Sequence, residues 1–102
     1  MMSTELKNYQ TSVLNAFLNK EGKLKNIPSQ KKKKLVVLEH LVRQLEDGKT
    51  YSEPHLNEFI KNYHEDFCTI RREFIVNGYM DRESGTYTKR PEALWSKWQE
   101  LK

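Results

Sequence analysis

The stretch NYHEDFCTIRREFIVNGYMDRESGTYTKR, residues 62–90, decides how this chain is read. Phe67, Ile70 and Phe74 recur at helical spacing, with Cys68 and Ile75 toward one edge of the same face. Asp66 stands where a helix N-cap is expected and Gly78 where a helix stops. After Gly78 the period changes. YMDRE and TYTKR flank Ser84-Gly85, a dipeptide that suits a hairpin turn. A helix over residues 67–77 followed directly by a two-stranded hairpin is therefore expected.

Upstream, the spacing of Leu56, Phe59, Ile60 and Tyr63 predicts another helix, capped by Ser52 with Pro54 in its first turn, where a missing amide does little harm. It ends near His64, so only two or three residues separate it from the next helix. Leu35, Leu38, Leu41, Val42 and Leu45 predict a helix over residues 30–46 with Ser29 as cap, and KTYS after Gly48 gives a short extended link. GKLKNIP reads as a small strand or extended arm. Leu6, Tyr9, Val13, Leu14 and Phe17 predict an N-terminal helix over residues 4–19, and Leu94, Trp98 and Leu101 a C-terminal helix over residues 91–102. The expected architecture is mainly α with a small β-hairpin, a winged helix-turn-helix whose core spans residues 22–90 in one domain of 102 residues. In it the helix at 67–77 is the recognition helix and DRESGTYTKR the wing.

The charge is uneven. The net is +4, yet residues 20–34 carry seven lysines and one glutamate, and the chain beyond them is net −2. A local patch of this kind attracts polyanions. No apolar run approaches the roughly 18 residues of a membrane span, no signal-peptide pattern opens the chain, and the lone Cys68 suits a reducing compartment, so the protein reads as cytoplasmic.

The chain also resembles the bacterial domain of unknown function 2087, which occurs alone or joined to helix-turn-helix regulators. The resemblance rests on GKLKNIPSQKKKKLVVLEHL at 22–41, TYSEPHLNEFI at 50–60, YHEDFCTIRREFIVNGYMDRE at 63–83, and Tyr87, and covers roughly residues 14–88. Members usually follow the wing tyrosine with Trp-Arg; here Thr88 and Lys89 stand there. The resemblance implies a role in transcriptional regulation and no defined chemistry.

On a helical wheel Arg71 falls near the middle of the buried face, where it needs a carboxylate such as Glu53, Glu58 or Asp66, while Arg72 points away beside Thr69. Thr69 and Arg72 are the candidates for phosphate or base contact, although Glu73 and Asp66 on the same helix oppose it. Lys31, Lys32, Lys33 and Lys34 open a helix, where free backbone amides favour an anion; a solubilising charged end is the alternative. Arg82, Lys89 and Arg90 on the wing are candidate backbone contacts, interleaved with Asp81 and Glu83. His64 and Cys68 with His55, Glu65 and Asp66 have donor types that zinc accepts. Cys68 borders the buried face, however, and His64 is better explained as a helix-end cap or a partner for a nearby acid. No catalytic motif, metal site, cofactor or small-molecule ligand is inferred. Trp95 and Trp98 must cover apolar surface, either against the first helix or across a homodimer axis. Double-stranded DNA and a second copy of the chain are the expected partners; a non-enzymatic protein-interaction module is the alternative reading.

Overall fold

The computed structural model describes residues 3–102. Helix α1 spans Thr4–Phe17, with the Ser3 hydroxyl accepting the Leu6 amide at 3.2 Å. It stops two residues short of expectation because Leu18 turns extended and bridges Leu24. Of the small strand or extended arm expected near residues 22–28, the strand reduces to that single bridge.

Helix α2, Lys31–Val42, is the centre of the molecule. Leu35, Val36, Val37, Leu38, Leu41 and Val42 are all buried, because α1, the fourth helix and the C-terminal tail pack around it. The N-cap position is Gln30, which makes no side-chain cap, so the cap expected from Ser29 is absent. The helix also ends before residue 46. After Val42 the amides of Gln44 and Leu45 reach back three residues rather than four, to Leu41 and Val42, and this tighter winding closes the helix.

Strand β1, Thr50–Ser52, leads straight into α3, Glu53–Lys61, where the Ser52 hydroxyl accepts the His55 amide. Because α3 closes at Lys61 rather than near His64, five residues and not the two or three expected separate it from α4, which opens at Phe67 and runs to Val76, capped by Asp66 through the Thr69 amide at 3.3 Å. The turn between the helices is fixed by His64, whose Nδ1 accepts the Asp66 amide at 2.9 Å. Gly78 ends the helix at φ +78°, and a Cβ there would meet Arg90 Nη1 at 3.0 Å and the Leu94 carbonyl at 3.1 Å. Glycine is thus required twice over, by backbone angle and by space.

Strands β2, Met80–Glu83, and β3, Thr86–Lys89, form the expected hairpin. Ser84 and Gly85 both take positive φ, +51° and +78°, the pairing that a two-residue hairpin loop of matching twist needs. β1 adds to the other side of β3, giving an antiparallel sheet of order β1-β3-β2. Its register places Tyr51, Tyr87 and Arg82 in one row, flanked by the rows Thr50-Thr88-Asp81 and Ser52-Thr86-Glu83. Alternation sends the first row to one face and the other two to the opposite face.

The tail departs from the sequence expectation. Residues 91–102 form no α-helix but two short 3-10 turns, Glu92–Leu94 and Trp98–Glu100. Trp95 packs edge-on to Tyr79 and donates its Nε1–H to the Arg90 carbonyl at 2.8 Å, while Trp98, fully buried, stacks on Tyr9 of α1 at 5.7 Å. As neighbours three residues apart on a helix, the two indoles would share one face. Their separate destinations require the chain to bend between them. Both are covered within the chain, so the expectation that they form an assembly surface gives way to packing against α1 and the β2 end of α4. Among the described residues no helix is long and apolar enough to cross a membrane.

Candidate nucleic-acid interface

Helix α4 has two unlike sides. Ile70 and Phe74 are fully buried, whereas Arg72 and Val76 are exposed and Thr69 is half-exposed. Arg72 makes no hydrogen bond or ion pair among the described residues and approaches only the Asp66 carboxylate electrostatically.

Arg71, the next residue, is turned inward. It donates to Asn57 Oδ1 on α3 and sits 3.7 Å from Glu53, one of the acids that its position on the buried face called for. Glu53 in turn accepts the Tyr87 hydroxyl of β3 at 2.7 Å. That hydrogen bond first, and the Arg71 charge second, hold the Glu53 carboxyl below the usual glutamate range. The Tyr87 ring carries the Arg82 guanidinium at 5.9 Å. The chain Asn57–Arg71–Glu53–Tyr87 thus ties α3, α4 and the hairpin together. Asn57 was not legible from the sequence, since nothing in its spacing distinguishes it from a surface asparagine.

The four lysines that open α2 divide. Lys32 lies over the Tyr9 ring at 4.4 Å, and Lys34 pairs with Glu73 of α4 at 3.5 Å. Lys31 is exposed and Lys33 half-exposed; neither makes an ion pair among the described residues. The Lys34–Glu73 contact brings the start of α2 beside α4. It also pairs one of the two acids on this helix. Glu73 is held by Lys34 and by the Asn77 side-chain amide at 2.8 Å, whereas Asp66 keeps its charge, its pKa lowered first by the Thr69 side chain and then by the Thr69 amide.

The hairpin's cations also divide. Arg82 is exposed. Lys89 is 9% exposed, with Nζ 2.9 Å from Asp47 and 3.0 Å from the Leu45 carbonyl. Arg90 reaches Asp81 at 3.4 Å and the Gly78 carbonyl. Lys89 is therefore withdrawn from any surface role, and Arg90 is committed to the junction between α4 and β2.

The sequence family described as "Uncharacterized protein conserved in bacteria (DUF2087)" matches residues 23–89. The chain belongs to this family. No curated protein and no solved structure matches it. The DUF2087 span holds α2, α3, α4, the sheet and every paired or free cation just described except Arg90. Helix α1 and both tryptophans lie outside it. The Tyr9–Trp98 stack therefore joins two segments that flank the family domain on either side.

His64 spends its Nδ1 on the α3–α4 turn, and Cys68 is exposed, with its sulfur 4.0 Å from Arg71 Nη1. His55 packs against Tyr51. Among the described residues no three such side chains cluster as a metal site would need.

Proposed function

We propose that residues 31–90 are a winged helix-turn-helix and that this DUF2087 member binds double-stranded DNA as a regulator or regulator-associated domain. The observation that carries the reading is the order α2-β1-α3-α4-β2-β3, with β1 laid against β3 and the Thr69-Arg72-Val76 side of α4 left uncovered. This is the arrangement in which a second helix enters a major groove and a hairpin lies beside it. Thr69 and Arg72 then face base edges and phosphates, and Val76 suits a thymine methyl. Lys31, Lys33 and Arg82, which make no ion pair among the described residues, would follow the backbone. The function is binding, with no catalytic step.

A salt series of duplex binding tests this. Each phosphate contact contributes about −0.9 to the log-log slope, so Lys31→Gln with Lys33→Gln should flatten the slope by about two contacts' worth. Arg72→Ala should cost about 1–3 kcal/mol on a preferred sequence and less on random duplex. A folded sample that binds no genomic fragment at low salt overturns the reading. One observation favours the alternative of a protein-interaction module. Val76 is 70% exposed and Leu94, whose carbonyl lies against Gly78 just beyond the end of α4, is 55% exposed.

A further inference from the structure

A groove of about 500 Å³ separates the Leu18–Leu24 bridge from the end of α3. One wall is a tight loop. The Asn19 amide donates to the Lys23 carbonyl at 2.8 Å, and the Asn19 side-chain oxygen accepts the amides of Glu21 and Lys23, both at 2.9 Å. The loop is fastened to the opposite wall where the Leu24 amide donates to the Tyr63 carbonyl at 2.8 Å. Leu24 is buried, and Lys23 and Lys25 on either side of it are both exposed and both line the groove.

The second wall brings Lys61 and His64 from the end of α3. Lys61 is partly neutralised by Glu58 at 3.1 Å and rests over Phe67, the first residue of α4. Lys23 and Lys25 have no ion pair among the described residues. With Nδ1 of His64 accepting a backbone amide, its Nε2 is the ring nitrogen left to donate. The Asn19 side-chain oxygen is likewise spent, leaving its NH₂ group as donor. The groove therefore gathers three lysines and two further donors against one acid, Glu65.

We propose that this groove binds a phosphate group, with Lys23 and Lys25 as its direct charges and Asn19 and His64 as donors. Charge-assisted contacts from separate segments to one anion are stronger than those of a solvated lysine run. The phosphate can come from a DNA backbone or from a free phosphorylated solute, and the site stands whether or not α4 reads bases.

The test is a titration of the isotope-labelled full chain with inorganic pyrophosphate at fixed ionic strength, followed by amide shifts. Saturable shifts confined to residues 19–25 and 61–65 are expected. Lys23→Gln with Lys25→Gln should weaken half-saturation about tenfold or more, Glu65→Gln should tighten it, and Lys31→Gln with Lys33→Gln should leave it unchanged. Shifts that grow linearly, or that are equal at residues 31–34, overturn the proposal. The same Lys23/Lys25 variant in the duplex salt series separates the sources. A flatter slope assigns the phosphate to DNA, and an unchanged slope with pyrophosphate binding lost assigns it to a free solute. Wild-type chain that binds duplex but not pyrophosphate defeats the groove alone. Pyrophosphate binding without duplex binding defeats the reading of α4 alone.

Discussion

At the tip of the β2–β3 hairpin Arg82 is exposed and rests on the Tyr87 ring without an ion pair among the described residues. At the base of the same hairpin Lys89 and Arg90 are drawn inward to Asp47, Asp81 and two backbone carbonyls. Nearby, Arg43 bridges Glu39 and Glu92 and lies 5.1 Å from the Trp95 ring, which Lys89 also approaches. The same residue types fasten the tail at one end and stand free at the other. Formal charge along a sequence therefore overstates what a polyanion can reach, and the difference between the two ends can be tested residue by residue.

The largest effect belongs to the fastened end. Trp98→Ala should cost about 3–5 kcal/mol in urea denaturation, as for other fully buried aromatics. An unchanged midpoint would mean that the tail is not part of the core. Next comes the pair of adjacent arginines. Arg71→Ala should cost about 2 kcal/mol through its lost contacts to Asn57 and Glu53, whereas Arg72→Ala should stay within about 0.5 kcal/mol. Equal denaturation midpoints would erase the distinction between the two sides of α4. The hairpin supplies a third contrast. Lys89→Met should lose about 1 kcal/mol of stability and leave the salt dependence of duplex binding unchanged. Arg82→Ala should do the reverse, flattening the slope by about 0.9.

The smallest effect is one of pH. Glu53 is held below its usual range by Tyr87 first and Arg71 second. A depressed carboxyl contributes stability that is complete above its unfolded value of about 4.3 and is lost as pH falls through the folded value. Asp47, Asp66 and Glu92 are depressed as well and titrate in the same acid range. The readout is therefore the difference between wild type and Tyr87→Phe. The variant should show a shallower loss of stability below about pH 4.5, and identical acid profiles would remove Tyr87 from the chain of contacts.

Local chemistry made much of this fold legible. The caps at Ser52 and Asp66, the stop at Gly78 and the Ser84-Gly85 turn each depend on a few adjacent residues, and each stands where the sequence put it. The inward turn of Arg71 followed from helical spacing alone. The tail was misread because Leu94, Trp98 and Leu101 match a helical period by chance. What shapes it is the separate packing of two indoles, Trp95 on Tyr79 and Trp98 on Tyr9, the second a contact made across most of the chain. Lys34–Glu73 and Lys89–Asp47 are likewise 39 and 42 residues apart in sequence, beyond the reach of any spacing rule. The i,i+4 pair Glu39–Arg43 did lie within reach. The groove at Lys23 and Lys25 escaped because its second wall comes from the end of α3.

The burial of both tryptophans has an optical consequence. All indole emission of this chain arises from Trp95 and Trp98, shielded from water, beside Tyr79 and Tyr9. The outer side of α4 carries no indole. Indole fluorescence thus reports how the tail packs, through Trp98 on α1 and through Trp95 at the junction of α4 and β2. A ligand that touches only the exposed side of α4 should leave the emission unchanged, and a change on adding duplex would report a rearrangement of one of these two packings.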